Sequence, residues 1–170
     1  VKVIPLLLAL GAGLSASCVH ATGAAAPADA ATIERGAYLA RIMDCAGCHM
    51  PRGADGVLAF SAGLSGGTVG FEMPGLGIFW PPNLTPDATG LGDWSADQIL
   101  TAIRAGIRPD GRVLAPVMPW ASYAGLTDED GAALVAYLQS LAPVAARTPP
   151  PAVTADRAAG PFFRVTLPSQ

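Results

Sequence analysis

An all-α domain of about three to five short helices, joined by long loops around one central site, is the fold class this sequence predicts. Two capped segments with apolar residues at helical spacing point to it, as does the long Gly- and Pro-rich stretch before them, in which nothing reads as a sheet. The third observation is the run DCAGCH at 44–49, with two cysteines and a histidine within five residues of a chain that has three cysteines and two histidines in all.

Residues 1–21 read as a secretory signal and not as a fold element. Lys2 supplies a positive start, VIPLLLALGAGLSA an apolar stretch, and Val19 and Ala21 the small residues before a cleavage point. Cys18 lies in LSASC, which resembles a lipoprotein signal; the protein is expected on a membrane only if that cysteine is lipidated. Residues 22–32 are small and polar, a flexible leader.

The domain proper is expected over residues 33–144. Ile33, Ala37, Ala40 and Met43 fall near helical spacing, so a first helix runs straight into the cysteine motif. Residues 51–93, with GLSGG, PGLG and PPNLTPD, form a long ordered loop region or a set of turns, of the kind that carries function inside a compact domain. Ser95 and Gln98 make a capping box for a second helix that runs to about Ala105, with Trp94 and Ile99 as its staple and Gly106 and Pro109 as its stop. Thr127 caps a third, whose first turn holds Asp128, Glu129 and Asp130, and Leu134, Leu138 and Leu141 are its apolar stripe until Pro143. Residues 145–170 are a Pro-rich tail. Its TPPP is stiff, and Phe162, Phe163, Val165 and Leu167 need cover, so the tail is expected to lie back on the domain or on a partner.

Charge excludes one class of partner. Without Lys2 the basic residues are nine arginines against thirteen acids, and no polybasic patch for nucleic acid exists.

Cys45, Cys48 and His49 carry the chemistry. A zinc ribbon needs a second ligand pair that the chain lacks, and a dithiol redox pair expects a βαβ context that is equally missing. The remaining reading is covalent haem attachment. Two thiols three residues apart each add to one vinyl group of the same porphyrin, and the next residue, His49, lies under the iron as its ligand. Export agrees, since a thiol pair outside the cytoplasm would otherwise tend to oxidise.

For a second axial ligand methionine is the next choice, because His20 leaves with the signal and a soft thioether favours the ferrous state. Met43 belongs to the helix before the motif, and Met50 adjoins His49 and cannot reach the opposite face. Between Met73 and Met118, Met118 is preferred: Pro116 and Pro119 stiffen its loop, which can then hold a weak sulfur ligand with little loss of chain entropy. Arg104, Arg108 and Arg112 are candidates to neutralise haem propionates, against the alternative of solvated arginine. Trp80, Trp94, Trp120 and Tyr123 are candidates for pocket walls or ordinary core.

RGAYLARIMDCAGCH, PPNLTPD, TGLGDWS, IRAGIRPDGR, MPWASYAGLTDED and AYLQSL, in that order, resemble the class I cytochromes c, in particular the cytochrome domains of bacterial periplasmic dehydrogenases. The resemblance covers residues 33–144. It implies a helical fold around one haem c, thioethers at Cys45 and Cys48, and iron held by His49 and Met118. It also implies that the first and last helices meet, Gly36 allowing close approach near Tyr137 and Leu138. Several dehydrogenase subunits of this kind carry three Cys-x-x-Cys-His motifs and this chain has one, which favours a small carrier or a single-haem subunit.

The expected function is therefore periplasmic electron transfer by a protein that is not itself an enzyme. Its donor would be a periplasmic dehydrogenase and its acceptor an oxidase or another cytochrome of the respiratory chain. The alternative, a peroxidase-like haem enzyme or gas sensor, needs an opening iron site and a distal acid or base, for which no second histidine remains.

Overall fold

The computed structural model describes residues 28–168, so the expected signal segment with Cys18 and His20 lies outside the described residues. Helix α1 (Ala30–Ile42) starts earlier than expected, inside the anticipated leader. Asp29 takes an extended conformation and its carboxylate accepts the Thr32 N–H at 2.7 Å, satisfying one of the free donors of the first turn. Helix α2 (Cys45–His49) follows after a sharp turn at Asp44, the one described non-glycine residue with positive φ, at 54°. Aspartate tolerates that region because its short carboxylate bonds locally, here to the Gly47 N–H at 3.2 Å.

Helix α3 (Ala96–Ala105) has the predicted capping box, Ser95 and Gln98 each bonding the other's backbone N–H, and it stops where Gly106 turns left-handed at φ 69°. A short helix α4 (Trp120–Tyr123) interrupts the next loop. Helix α5 (Asp128–Ser140) begins at Thr127, whose hydroxyl accepts from Asp130, and carries its three acids at the positive end of the dipole.

Helix α1 packs chiefly against α5, and α3 and α4 close the other side. Leu39, Ala40, Ile99, Ile103, Ala133, Leu134 and Leu138 form the core between them. Gly36 is required at the α1–α5 contact. A Cβ there would overlap the Ala133 carbonyl oxygen and stand 2.6 Å from the Tyr137 Cβ, so the close approach falls at Tyr137, as expected, and at Ala133 one turn before it.

The expectation that nothing forms a sheet is corrected. Strands β1 (Gly70–Met73) and β2 (Gly77–Phe79) make an antiparallel hairpin in the register Phe71 to Phe79, and β3 (Phe162–Phe163) joins β1 in parallel, giving the order β2-β1-β3. The turn is Met73-Pro74-Gly75-Leu76. Proline sets its second residue, Gly75 takes φ 78°, and the Leu76 N–H bonds the Met73 carbonyl at 2.9 Å.

The tail lies back on the domain, and it is what turns a hairpin into a sheet. Ala152 exchanges two backbone hydrogen bonds with Ile78, Trp80 donates its indole N–H to the Pro161 carbonyl at 3.2 Å, and Arg164 pairs with Glu72. Ile78, Trp80 and Ala152 are the buried centre of this second, smaller core. Among the described residues no helix is long and apolar enough to cross a membrane.

Candidate haem-attachment site

Cys45, Cys48 and His49 sit on one turn of helix, α2, where residues three apart project to the same side. Both thiols are free and half-buried. Burial pushes the Cys45 thiol up to about 11, and burial followed by the nearby Asp44 charge raises Cys48 as well. Dithiol redox centres need the opposite shift, toward thiolate, so the surroundings of this pair do not suit disulfide exchange. Among the described residues no group of three His, Cys, Asp or Glu side chains is placed to hold a bare metal ion.

His49 is only 7% exposed, and its Nδ1 lies 2.7 Å from the Pro82 carbonyl oxygen. A carbonyl only accepts, so Nδ1 carries the proton and Nε2 keeps its lone pair. Burial lowers the pKa of the ring, more than the bond to Pro82 raises it, and the imidazole stays neutral. A neutral, oriented imidazole with one free nitrogen is a ready axial ligand. The histidine is held at its main chain too, where Gly66 donates to its carbonyl at 2.8 Å.

The Met118 loop is fixed at both ends. Its base is closed by Leu114 bonding the Gly106 carbonyl at 2.7 Å and by a bridge between Ile107 and Val113. Beyond Met118, Pro119 opens α4. The Trp120 ring lies so close over Gly106 that a Cβ there would be 2.8 Å from it, and the Tyr123 hydroxyl donates to the Met43 carbonyl at 2.9 Å. Burial and then the neighbouring Cys45 and Cys48 raise the Tyr123 pKa, so α4 stands beside the cysteine motif. Met118 is half-buried at the turn that leads into α4. Met73, in contrast, pairs with Gly77 at the end of the hairpin. Met43 caps α1 against the core, and Met50 is buried at the end of α2.

The three arginines separate. Arg104 is engaged by Asp128 at 2.8 Å and the Leu126 carbonyl at 2.6 Å, and Arg112 by Asp110. Arg108 lies over the Trp94 ring at 5.1 Å; its buried Nε has no hydrogen-bond partner and only a long ion pair to Asp110, at 3.7 Å. Trp120 Nε1 and Arg104 Nε are likewise buried donors without an acceptor. An unmet buried donor costs about 1–3 kcal/mol, so these positions call for acceptors from outside the chain. Haem brings two carboxylates. Donor set, free Nε2 and orphaned donors together fit that group. Of the anticipated pocket walls, Trp80 belongs instead to the small core under the tail.

Pro82 went unread in the sequence, because a backbone carbonyl leaves no side-chain signal; the one clue is PPN, two residues whose carbonyls have no N–H of their own beside them.

Residues 33–142 match the family model for cytochrome c. The chain is 42% identical over 120 residues to the gluconate 2-dehydrogenase cytochrome c subunit of Pantoea cypripedii, covering 69% of this chain and 25% of that one. It is 38% identical over 120 residues to the alcohol dehydrogenase (quinone) cytochrome c subunit of Gluconacetobacter polyoxogenes, covering 69% and 24%. It is 39% identical over 146 residues to the fructose dehydrogenase cytochrome subunit of Gluconobacter japonicus, covering 85% and 28%. The chain thus spans about a quarter of the length of these relatives.

Proposed function

The chain belongs to the cytochrome c family, and from that premise we propose that it is an electron-transfer module with one haem c on its single Cys-x-x-Cys-His motif, working in the periplasm between a dehydrogenase and the respiratory chain. The observation that carries the reading is His49, buried, neutral and oriented by Pro82 directly behind two cysteines on the same helical turn.

Cys45 and Cys48 would hold the group by thioethers, His49 Nε2 and the Met118 sulfur would take the two axial positions, and Arg108 and Trp120 would meet its carboxylates. Bound haem supplies a one-electron ferric and ferrous couple, and a thioether ligand favours the ferrous side. The remaining work belongs to the chain. The core of α1, α3 and α5 excludes water, the Pro82 carbonyl keeps the proton on Nδ1, and the Met118 loop, fixed at both ends, would hold its thioether ready as the second ligand to the iron. The module would move electrons and leave substrate chemistry to the dehydrogenase. The three relatives are named as cytochrome subunits of dehydrogenases, which supports a dehydrogenase as donor; an oxidase or another cytochrome would be the acceptor. Residues 1–21 would direct export, with 22–32 a leader and 145–170 a tail, and Cys18 would add a membrane anchor only if lipidated.

The test is in two steps. Acid and organic extraction should leave haem on the denatured chain. Stopped-flow mixing with a reduced periplasmic dehydrogenase from the same source should reduce it rapidly, with only modest slowing as salt rises, because no lysine follows residue 2 to steer docking. Fast turnover of peroxide with no electron exchange with any protein would instead support the enzyme reading.

A further inference from the structure

We propose that Asn83 is a positioning residue for the axial histidine, and that the C-terminal strap, residues 144–164, is what holds Asn83 in place. The proposal rests on the reading that His49 ligates haem iron. It starts from a feature of the proximal loop: the carbonyl that orients His49 belongs to Pro82, in irregular chain with no strand or helix to fix it. Pro81 and Pro82 have no N–H to anchor them. The Gly67 N–H holds the Pro81 carbonyl at 2.9 Å on the near side; on the far side the anchor has to be Asn83.

Asn83, the next residue, is 2% exposed and uses its whole amide. Its Oδ1 accepts from the Thr85 N–H at 2.9 Å and from the Thr85 hydroxyl at 2.8 Å. Its Nδ2 donates to the Thr89 hydroxyl at 3.0 Å and to the Val144 carbonyl at 2.8 Å. The last bond crosses from the loop to the start of the strap. There the strap answers twice more, Val144 N–H to the Thr85 hydroxyl at 3.1 Å and Ala146 N–H to the Thr89 hydroxyl at 3.1 Å. Thr148 then covers Gly66, whose N–H holds the His49 carbonyl. Asn83, Thr85 and Thr89 thus knit the strap to both segments that grip the histidine. A fully satisfied buried amide is a rigid cross-tie, and its rigidity passes through one peptide unit to the Pro82 oxygen.

The sign of the effect follows. The bond from Nδ1–H to a carbonyl makes the imidazole a stronger electron donor and so favours ferric iron. Loosening Asn83 weakens that bond and shifts the couple toward ferrous. Removing a direct outer partner of a metal ligand typically costs 10–100-fold in metal affinity or activity; taking that as the scale, and because Asn83 acts one step further out, the expected shift is about three- to tenfold in the ferrous-to-ferric ratio at a fixed solution potential, tenfold being about 59 mV for one electron.

Asn83→Ala, Thr89→Val and Ser95→Ala are made in the full haem-loaded chain. The ratio is read by spectroelectrochemical titration, and exchange of the His49 ring N–H by paramagnetically shifted proton NMR. Asn83→Ala should shift the ratio toward ferrous and speed ring N–H exchange. Thr89→Val, nearly isosteric, should do both in the same direction and less. Ser95→Ala removes a cap on α3 and should lower stability without moving either. If Asn83→Ala does not fold, Thr89→Val decides alone. Lower stability with the ratio and exchange no different from Ser95→Ala would make Asn83 merely structural and overturn the proposal. A wild-type chain that carries no thioether-bound haem would refute the haem reading, and this proposal with it.

Discussion

Gly36→Ala sets two effects of opposite sign against each other, and the structure decides between them. In an exposed helix the change would stabilise by about 1 kcal/mol, because alanine loses less backbone entropy. At position 36 the new Cβ would fall on the Ala133 carbonyl oxygen and 2.6 Å from the Tyr137 Cβ. Carbon atoms in contact want about 3.5–4.0 Å, so α1 and α5 must part by about 1 Å. Neither side yields easily: the oxygen is α5 backbone, and Leu134 and Leu138 beside it are 1% and 3% exposed. Overpacking of this kind costs about 1–3 kcal/mol, and a backbone obstacle places it at the upper end. The net is a loss of about 2 kcal/mol, or roughly 6 °C in Tm. Gly131→Ala is the comparison. Its Cβ would meet the Leu100 Cδ1 at 2.7 Å and the Arg104 guanidinium at 3.2 Å, both ends of flexible side chains and not backbone, so gain and loss should come much closer to cancelling than at Gly36. Thermal unfolding by circular dichroism of both haem-loaded variants tests the reasoning. A Gly36→Ala protein as stable as the wild type, or as Gly131→Ala, would show that the α1–α5 contact is not set by the missing Cβ.

Met118→Ala should abolish the weak far-red sulfur-to-iron band of the ferric protein and let carbon monoxide bind the ferrous form, while Met73→Ala leaves both unchanged; the reverse outcome would move the axial ligand to the hairpin. Hydrogen bonds from Arg164 hold the Glu72 carboxyl below its ordinary value of 4.5. A lowered folded value means the pair supports the strap at pH above 4.5 and is lost as pH falls through the folded value, so β3 amide exchange, corrected for its intrinsic pH dependence, should accelerate below pH 4.5 in the wild type and already be fast at neutral pH in Glu72→Gln. Tyr123→Phe removes the hydroxyl bond to the Met43 carbonyl and should cost about 1 kcal/mol in unfolding free energy, measured with denaturant, with no change in haem content.

What could be read from the sequence divides by the range of the forces involved. Ser95 with Gln98, Thr127 and Gly106 announce helix ends because a cap is made within a few residues, and all stand where expected. Asp29 obeys the same rule and went unread only because the leader around it is uniformly small and polar. The hairpin was harder. Its strands are three and four residues long, too short for alternation to show, and they owe their place to β3 and Ala152, far along the chain. Pro74-Gly75 does announce a turn, but a turn alone does not say that strands flank it.

The site divides in the same way. Two thioethers and an adjacent histidine must be contiguous, because one helical turn has to present all three to one porphyrin, so Cys45, Cys48 and His49 are legible in five letters. The orienting oxygen of Pro82 is a property of the backbone, and the polar cross-ties of Asn83 come from residues up to 61 positions away. Such partners are chosen by the fold and not by local spacing. On the proposal for Asn83, the motif specifies that an imidazole is offered, whereas how strongly it donates would depend on the loop and the strap. Changes to the tail would then tune the redox couple while leaving every residue of the motif untouched.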